Sequence, residues 1–280
     1  MVNREGALSD IRIDPFLKWA GGKRWLTSSH THLFPTRYNR YIEPFLGGGA
    51  VFFSLQPSQG VLSDINSDLI ETYQAIKNNP IKVEALLRKH QANHSREYYY
   101  IIRNSAPSSM FARAAKFIYL NRTCWNGLYR VNLKGKFNVP IGTKSKVIMK
   151  SDDFQKVSSI LNNVEIRVAD FEDTVNMAGL DDVVFVDPPY TVKHNNNNFI
   201  KYNECLFSWD DQVRLKAALI RAKDRGAYIV LTNANHQCIR ELYVDEFQID
   251  VAPRCSVISG KNKGRGPATE LVIRSCQWNG

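Results

Sequence analysis

One short stretch most constrains the fold: four apolar residues, Val183–Val186, run directly into the sequence Asp-Pro-Pro-Tyr at Asp187–Tyr190. The run is short, uncharged and mostly β-branched, which predicts a buried strand of a parallel sheet. The two prolines lack N–H groups and hold the chain extended, so the strand ends there. In open α/β sheets, the carboxyl ends of the strands border the crevice where ligands bind. The stretch therefore predicts a ligand site as well as a fold.

The chemistry of Asp187–Tyr190 suits one kind of ligand. A carboxylate and a proline carbonyl are two hydrogen-bond acceptors, and a tyrosine ring is a flat stacking surface. Together they fit a planar base whose amino group is held by two acceptors. The segment resembles the Asp-Pro-Pro-Tyr motif of the amino-methyltransferases, and an ordinary turn at a strand end is the alternative.

A second segment predicts a nucleoside site. Arg40–Glu43 favours a short strand, and Glu43–Gly49 follows with three consecutive glycines that let the backbone approach a ligand. The next apolar strand, Gly60–Ser63, ends at Asp64, at the distance where dinucleotide folds place an acid on ribose hydroxyls. The spacing departs from Gly-x-Gly-x-x-Gly, and no phosphate-binding lysine follows. A nucleoside without a pyrophosphate, such as S-adenosylmethionine (SAM), fits better.

A third segment, Phe16–Lys23, reads Phe-Leu-Lys-Trp-Ala-Gly-Gly-Lys. With the other two, it resembles the Dam family of DNA adenine methyltransferases, in the group whose cofactor motifs precede the target-recognition region. The resemblance spans about Pro15 to Arg274, and Asn121–Arg130 and Lys136–Gly142 resemble the DNA-reading segment. It implies an α/β fold of the SAM-dependent methyltransferase (Rossmann-like) type, a doubly wound sheet with an inserted, mainly helical DNA-recognition domain.

The resemblance implies three groups of site residues. The catalytic group is Asp187, Pro188, Pro189 and Tyr190. The SAM-binding group is Trp19, Gly21 and Lys23 towards the methionine end, Glu43, Phe45 and Gly47 under the nucleoside, Asp64 on the ribose, and Asp170 and Phe171 on the adenine. The DNA-binding group is Arg122, Trp125, Asn126, Leu128, Arg130, Asn138 and Lys144. For Asp170, a helix cap is the alternative role.

The implied reaction is methyl transfer from SAM to the exocyclic amino group of adenine in double-stranded DNA. The base must leave the duplex to be reached. Asp187 and the Pro188 carbonyl would each accept one amino hydrogen, and Tyr190 would stack on the extruded ring. The stretch Trp125–Arg130 resembles the one that GATC-specific Dam enzymes use, which implies GATC as the target, with Trp125 as an aromatic wedge.

The positive charge is concentrated in one quarter of the chain. Residues 77–150 hold 15 Lys and Arg against two Glu, whereas the rest holds 22 basic and 25 acidic residues, because the whole chain has 37 and 27. Such a block is typical of a phosphate-binding surface. A solvated lysine-rich helix face is the alternative, and the interleaved aromatic residues favour nucleic acid.

Composition argues against several other classes of protein, namely membrane-spanning, secreted, disulfide-bonded and metal-binding proteins. No apolar run approaches the roughly 18 residues of a membrane span, and the chain start lacks a signal peptide's apolar region, so we expect a cytoplasmic protein. Separately, we expect a monomer in solution. The five cysteines are scattered without Cys-x-x-Cys spacing, which indicates neither disulfides nor a zinc site. His90 and His94 have helical spacing but no obvious third ligand, so no metal is expected.

The coarse organisation follows from the periodicity of the apolar residues. It predicts strands at 60–64, 164–168, 183–186, 227–232, 247–252 and 269–274, and helices near 67–77 and 209–224. Residues 80–120 predict helices and 121–150 a turn-rich segment. A SAM-binding catalytic domain of residues 1–76 and 151–280 would therefore carry an inserted target-recognition region of residues 77–150. Asn195–Asn198 is a candidate loop that closes over the extruded base. The basic segment Lys261–Gly266 is a candidate loop that contacts the phosphate backbone.

Three other functions remain open. A methyltransferase of RNA or of protein glutamine can carry a related loop, although that loop usually begins with Asn. A catalytically silent DNA-binding protein would explain the charge but has no need for Asp187. A dinucleotide-dependent dehydrogenase fits the glycine spacing poorly.

Overall fold

The computed structural model describes residues 2–3, 13–132, 134–192, 207–255 and 267–275. These residues form two compact units. The five-stranded unit takes its described residues from Met1–Gly6, Ser29–Phe45 and Ala169–Gly280, and the helical unit takes them from Ala7–Ser28 and Leu46–Val168. The loops proposed at 195–198 and 261–266 lie outside the described residues.

Every strand and helix range that the sequence predicts corresponds to an element of the structure. The strands are β1 (Val2–Asn3), β2 (Arg37–Tyr38), β3 (Tyr41–Glu43), β4 (Gly60–Asp64), β5 (Val164–Val168), β6 (Val183–Val186), β7 (Tyr228–Ala234), β8 (Gln248–Cys255) and β9 (Pro267–Arg274). The helices are α1 (Arg24–Ser29), α2 (Ala50–Leu55), α3 (Ser67–Asn78), α4 (Pro80–Asn93), α5 (Arg96–Asn104), α6 (Met110–Thr123), α7 (Phe154–Leu161), α8 (Phe171–Asn176), α9 (Trp209–Asp224) and α10 (Gln237–Tyr243). Single 3₁₀ turns lie at Thr31–Leu33 and Trp125–Gly127.

The five-stranded unit is built around β6. Five of its strands lie side by side in the order β3-β6-β7-β9-β8, with β3, β6 and β7 parallel and β9 antiparallel to both of its neighbours. The short strands β1 and β2 form a separate antiparallel pair in the same unit. All four residues of β6 are buried, which explains why the strand is apolar throughout. Helix α9 starts with a capping box, in which Ser208 and Asp211 bond each other's backbone N–H groups.

The helical unit carries the long connection between two parallel strands. β4 and β5 pair in parallel, with Asp64 opposite Val168, and α3 to α7 lie between them in the chain. Asn66, Asn79 and Ser95 cap α3, α4 and α5. The α/β fold class is thereby confirmed. The division into residues 1–76 with 151–280 and residues 77–150 stays a prediction, because the compact units have other boundaries.

Among the described residues, the structure has neither a membrane-spanning helix nor a cluster of metal ligands. None of their helices combines the length and the hydropathy that crossing a membrane requires. They also contain no group of three or more His, Cys, Asp or Glu arranged to hold a metal ion. His90 and His94 instead contact tyrosine hydroxyls, those of Tyr98 at 2.8 Å and Tyr119 at 2.9 Å.

Candidate active site

Asp187 lies directly after β6 and is oriented by the neighbouring strand. The Thr232 hydroxyl donates a 2.8 Å hydrogen bond to Oδ1 of Asp187. Thr232 is fully buried in β7, where the register places Leu231 opposite Val186 and so brings the threonine level with Asp187. A buried hydroxyl at this distance limits the orientations that the carboxylate can take. Asp187 is therefore a pre-oriented hydrogen-bond acceptor at the carboxyl end of a strand.

Tyr190 is anchored through its hydroxyl group. The hydroxyl donates to Oε2 of Glu270 at 3.0 Å, and Glu270 is a buried residue of β9. Burial raises the pKa of Tyr190, and the negative charges of Asp187 and Glu270 raise it further. Pro188 is buried, whereas Pro189 and the tyrosine are partly exposed. The ring is fixed at its hydroxyl end, and its use as a stacking face stays a prediction.

Two predicted cofactor residues of the five-stranded unit, Phe45 and Phe171, contact each other. Their rings stack with centroids 5.4 Å apart, and both meet Phe207 edge-on. Glu43 at the end of β3 is buried, and the Tyr41 hydroxyl donates to its Oε2 at 2.9 Å. Burial and this carboxylate both raise the pKa of Tyr41. The three phenylalanines form an aromatic cluster, in which Phe45 is partly exposed and Phe171 and Phe207 are buried.

Asp170 has the helix-cap role that the sequence left open, and it has a further partner. Its Oδ1 accepts a 2.9 Å hydrogen bond from the backbone N–H of Glu172 in α8. Arg214 of α9 donates to both carboxylate oxygens, at 2.9 and 3.0 Å. Arg214 also lies over the Phe171 ring, 4.2 Å from its centre. The cap does not exclude a cofactor role, because an ionised carboxylate has about four acceptor sites.

In the helical unit, the glycine-rich loop is held by Asp64. The N–H groups of Gly47 and Asn66 donate to its two carboxylate oxygens, each at 3.0 Å. Gly47 has a φ of +47°, and a Cβ there would lie 2.7 Å from Cδ1 of Trp19, so the indole lies against the loop backbone. Burial raises the pKa of Asp64, while its backbone hydrogen bonds oppose the rise. Three predicted cofactor residues, Trp19, Gly47 and Asp64, are thus brought together.

Lys23 closes the turn in which Gly21 lies. The lysine is buried, and its Nζ donates to the Gly21 carbonyl at 2.6 Å. Gly21 has a φ of +81°, a conformation that favours glycine. The neighbouring Trp19 stacks on Tyr129, with ring centroids 5.7 Å apart. The first segment predicted to bind the cofactor therefore contacts the segment predicted to read DNA.

Most residues of the predicted DNA-reading group are accessible. Trp125 is 53% exposed, and Asn126 is exposed in the left-handed conformation, with a φ of +54°. Nε of the exposed Arg130 donates to the Asn138 side chain at 2.8 Å, which orients the guanidinium. Of the remaining members, Lys144 is exposed, and Leu128 and Asn138 are partly buried.

Arg122 is the exception, and the structure corrects its assignment. Its side chain is 2% exposed and forms an ion pair with the buried Asp152, with both oxygens accepting, at 2.5 and 2.7 Å. The guanidinium also donates to the carbonyls of Phe16 and Val147. Because its donors are used inside the helical unit, we do not retain Arg122 among the proposed DNA contacts.

Comparison with known proteins identifies the family. A model described as D12 class N6 adenine-specific DNA methyltransferase matches residues 19–255. The matched range includes the glycine-rich loop, Asp64 and Asp187. The chain therefore belongs to the D12 class of N6 adenine-specific DNA methyltransferases, and the predicted Dam-family resemblance is confirmed.

Individual relatives agree over most of their length. The chain is 39% identical over 272 residues to the type II methyltransferase M1.LlaDCHI of Lactococcus lactis subsp. cremoris, covering 94% of this chain and 95% of that protein. It is 34% identical to the DNA adenine methylase of Vibrio cholerae El Tor Inaba N16961, covering 92% and 94%. It is 32% identical to the DNA adenine methylase of Escherichia coli K12, covering 81% and 83%. The predicted enzyme class, an adenine-specific DNA methyltransferase, is therefore confirmed.

Three residues with supporting roles were not predicted from the sequence. Thr232 orients Asp187, Glu270 anchors Tyr190, and Arg214 binds Asp170. Each is an ordinary polar residue of a strand or helix without a motif around it. One signal was available for Arg214, because it stands three residues after Asp211 on a predicted helix, where such pairs interact.

Proposed function

We propose that this protein transfers a methyl group from SAM to the exocyclic amino group of adenine in double-stranded DNA, after the base is flipped out of the duplex. The observation that carries the proposal is the Asp187 carboxylate, held by Thr232 at the end of β6 and followed by two prolines and a tyrosine. We expect the enzyme to act as a cytoplasmic monomer.

The chain's own residues would activate the amine by position. The adenine amine is a weak nucleophile because its lone pair is delocalised into the ring. Asp187 would accept one of its hydrogens and the Pro188 carbonyl the other, which favours a tetrahedral nitrogen, and Tyr190 would stack on the ring. Asp187 would also be a candidate acceptor for the proton that the amine loses. Bound SAM supplies an electrophilic methyl group with a neutral leaving group.

The residues assigned to SAM have suitable chemistry. Asp64 and Glu43 are acceptors for hydroxyl or ammonium donors, and Phe45, partly exposed beside the buried Phe171, offers an aromatic ring for a purine. We assign Trp19, Gly21 and Lys23 to the methionine end, Gly47 to the loop under the nucleoside, Asp64 to the ribose, and Asp170 with Phe171 to the adenine.

A first prediction concerns Asp64. Asp64→Ala should weaken SAM binding by about 1.5–3 kcal/mol, because it removes a charge-assisted hydrogen bond to the ribose, with little change in DNA affinity. Calorimetry measures the first quantity, and fluorescence anisotropy with labelled duplex measures the second.

The matched control for Asp64 is Asn66→Ala. Asn66 lies in the same loop and caps α3 through Leu69, so its loss loosens the loop without removing a carboxylate. If both variants weaken SAM binding equally, Asp64 only supports the loop. Unchanged SAM affinity in Asp64→Ala would also contradict the ribose assignment.

A second prediction concerns the target sequence, which we propose to be GATC. Arg130→Ala should relax specificity at one guanine, because an arginine fork in the major groove is worth roughly 1–3 kcal/mol of discrimination. Lys144→Ala should weaken binding evenly across sequences and reduce its salt dependence. Trp125 would fill the gap that the flipped base leaves. Methylation rates on duplexes with single-base changes distinguish the two variants.

Plasmid protection tests GATC directly. DNA from a methylation-deficient host that expresses this chain should resist a GATC-cutting nuclease that methylation blocks. Full cutting of DNA with confirmed adenine methylation would exclude GATC and leave the adenine activity intact.

The overall proposal is tested by incorporation of radiolabelled methyl groups from SAM. We expect label in duplex DNA, at N6 of adenine. Label in RNA or protein instead of DNA would support the alternative function, a methyltransferase of RNA or of protein glutamine. DNA binding without label in any substrate would indicate a catalytically silent DNA-binding protein.

A further inference from the structure

Arg214 joins the two residues that we assign to the adenine of SAM. From α9, its Nη1 donates to Oδ1 of Asp170 at 2.9 Å and its Nη2 to Oδ2 at 3.0 Å. The same guanidinium lies 4.2 Å from the centre of the Phe171 ring. A bidentate pair fixes the plane of the carboxylate, and a cation over a ring is attracted to its face. One side chain therefore sets the positions of both residues.

Arg214 is itself held by neighbouring acids. Its Nη2 donates to Asp211 at 3.0 Å, and its Nη1 lies 3.3 Å from Oε2 of Glu172. Asp211 belongs to the capping box of α9, so this contact ties the arginine to the first turn of the helix. The guanidinium is thus held by three carboxylates, Asp170, Asp211 and Glu172, in a side chain that is 40% exposed.

The hydrogen bonds to Asp170 leave it with a defined acceptor direction. Its carboxylate accepts three hydrogen bonds from described donors, the N–H of Glu172 and the two groups of Arg214. An ionised carboxylate offers about four acceptor sites, so one remains, on Oδ2. A single acceptor matches one hydrogen of a 6-amino purine, and it would repel the lone pairs of a 6-oxo purine.

We propose that Arg214 is a positioning residue that makes the cofactor site select a 6-amino purine over a 6-oxo purine, by orienting Asp170 and Phe171. The inference rests on the proposed function, in which these two residues bind the adenine of SAM. Arg214 acts through them and does not touch the reacting atoms.

The test compares two ligands that differ at the purine 6-position and at the hydrogen that the 6-oxo form carries on N1. Calorimetry gives the Kd values of S-adenosylhomocysteine and S-inosylhomocysteine for the full chain and its variants. The wild type should prefer the adenosyl compound. Arg214→Met, which keeps an unbranched apolar stem but removes the guanidinium fork, should lower that preference about tenfold, or ~1.4 kcal/mol. Arg214→Lys, which keeps the charge alone, should fall between them.

Kinetics provide a second readout. With SAM varied and DNA saturating, Arg214→Met should raise KM for SAM and leave kcat near the wild-type value, because the reacting groups are unchanged. A general loss of folding would lower kcat as well. If Arg214→Met does not fold, Arg214→Lys carries both measurements.

Arg221→Met is the matched control. Arg221 lies on the same helix and donates to Glu172 at 2.6 Å and to Asn176 at 3.3 Å, so it belongs to the same ion network. The preference and the KM should stay at wild-type values in this variant.

The outcomes separate this inference from the proposed function. An unchanged preference in Arg214→Met, or an equal loss in Arg221→Met, overturns the role of Arg214. A wild type that binds S-adenosylhomocysteine without preferring it also overturns this role but leaves the proposed function standing. A wild type that binds neither compound overturns both.

Discussion

Replacing Asp187 by alanine should lower the rate of methyl transfer into DNA by more than about 100-fold, with SAM affinity unchanged. The substitution deletes an acceptor that positions the target amine. The contacts of Asp64 with Gly47 lie in the helical unit and do not involve Asp187. Single-turnover kinetics on a duplex substrate measure the first effect, and calorimetry measures the second.

Thr232→Val is a milder substitution that tests the orientation of Asp187. It keeps the shape of the side chain but removes the hydroxyl that donates to Asp187, so the carboxylate is held less firmly. We expect a loss of about tenfold, the effect of one hydrogen bond of roughly 1.4 kcal/mol. Near-normal turnover in a folded Asp187→Ala protein would refute the catalytic role. A loss of SAM affinity in it would move Asp187 to the cofactor site.

Local signals were sufficient for the elements that frame this site. β6 is buried on both faces, so its residues form an unbroken apolar run that ends where the prolines begin. Helix α9 has the predicted bounds because a Ser-x-x-Asp capping box precedes its amphipathic residues. β8 extends to Cys255, three residues beyond its predicted end at 252, because pairing with β9 continues there. Pairing of that kind leaves no local trace in the sequence.

The contacts that orient the site residues arise from tertiary structure. Thr232 and Asp187 are 45 residues apart, Glu270 and Tyr190 are 80 apart, and no spacing rule links such pairs. The DNA-binding role predicted for Arg122 disagrees with the structure for a related reason. It stands in a basic, aromatic segment that resembles a DNA-reading stretch, and arginine is rarely buried without a partner. Its partner, Asp152, comes 30 residues later and lies outside that segment.

Arg122→Met should lower the free energy of unfolding by about 3–5 kcal/mol, because removal of one partner of a buried ion pair leaves the other charge uncompensated. Asp152 is almost as buried as Arg122, and the carbonyls of Phe16 and Val147 would lose their donors as well. Denaturant titration followed by circular dichroism measures the change, and DNA affinity is compared under conditions where the variant is folded.

Arg130→Ala is the surface control for Arg122→Met. Arg130 is exposed, so its loss should change the free energy of unfolding by no more than about 0.5 kcal/mol while it alters DNA recognition. In the double variant Arg122→Met, Asp152→Leu, the destabilisation should be smaller than the sum of the single effects, because the two residues share one interaction. If Arg122→Met unfolds like the wild type and binds DNA more weakly, the internal role is wrong and Arg122 returns to the DNA-binding group.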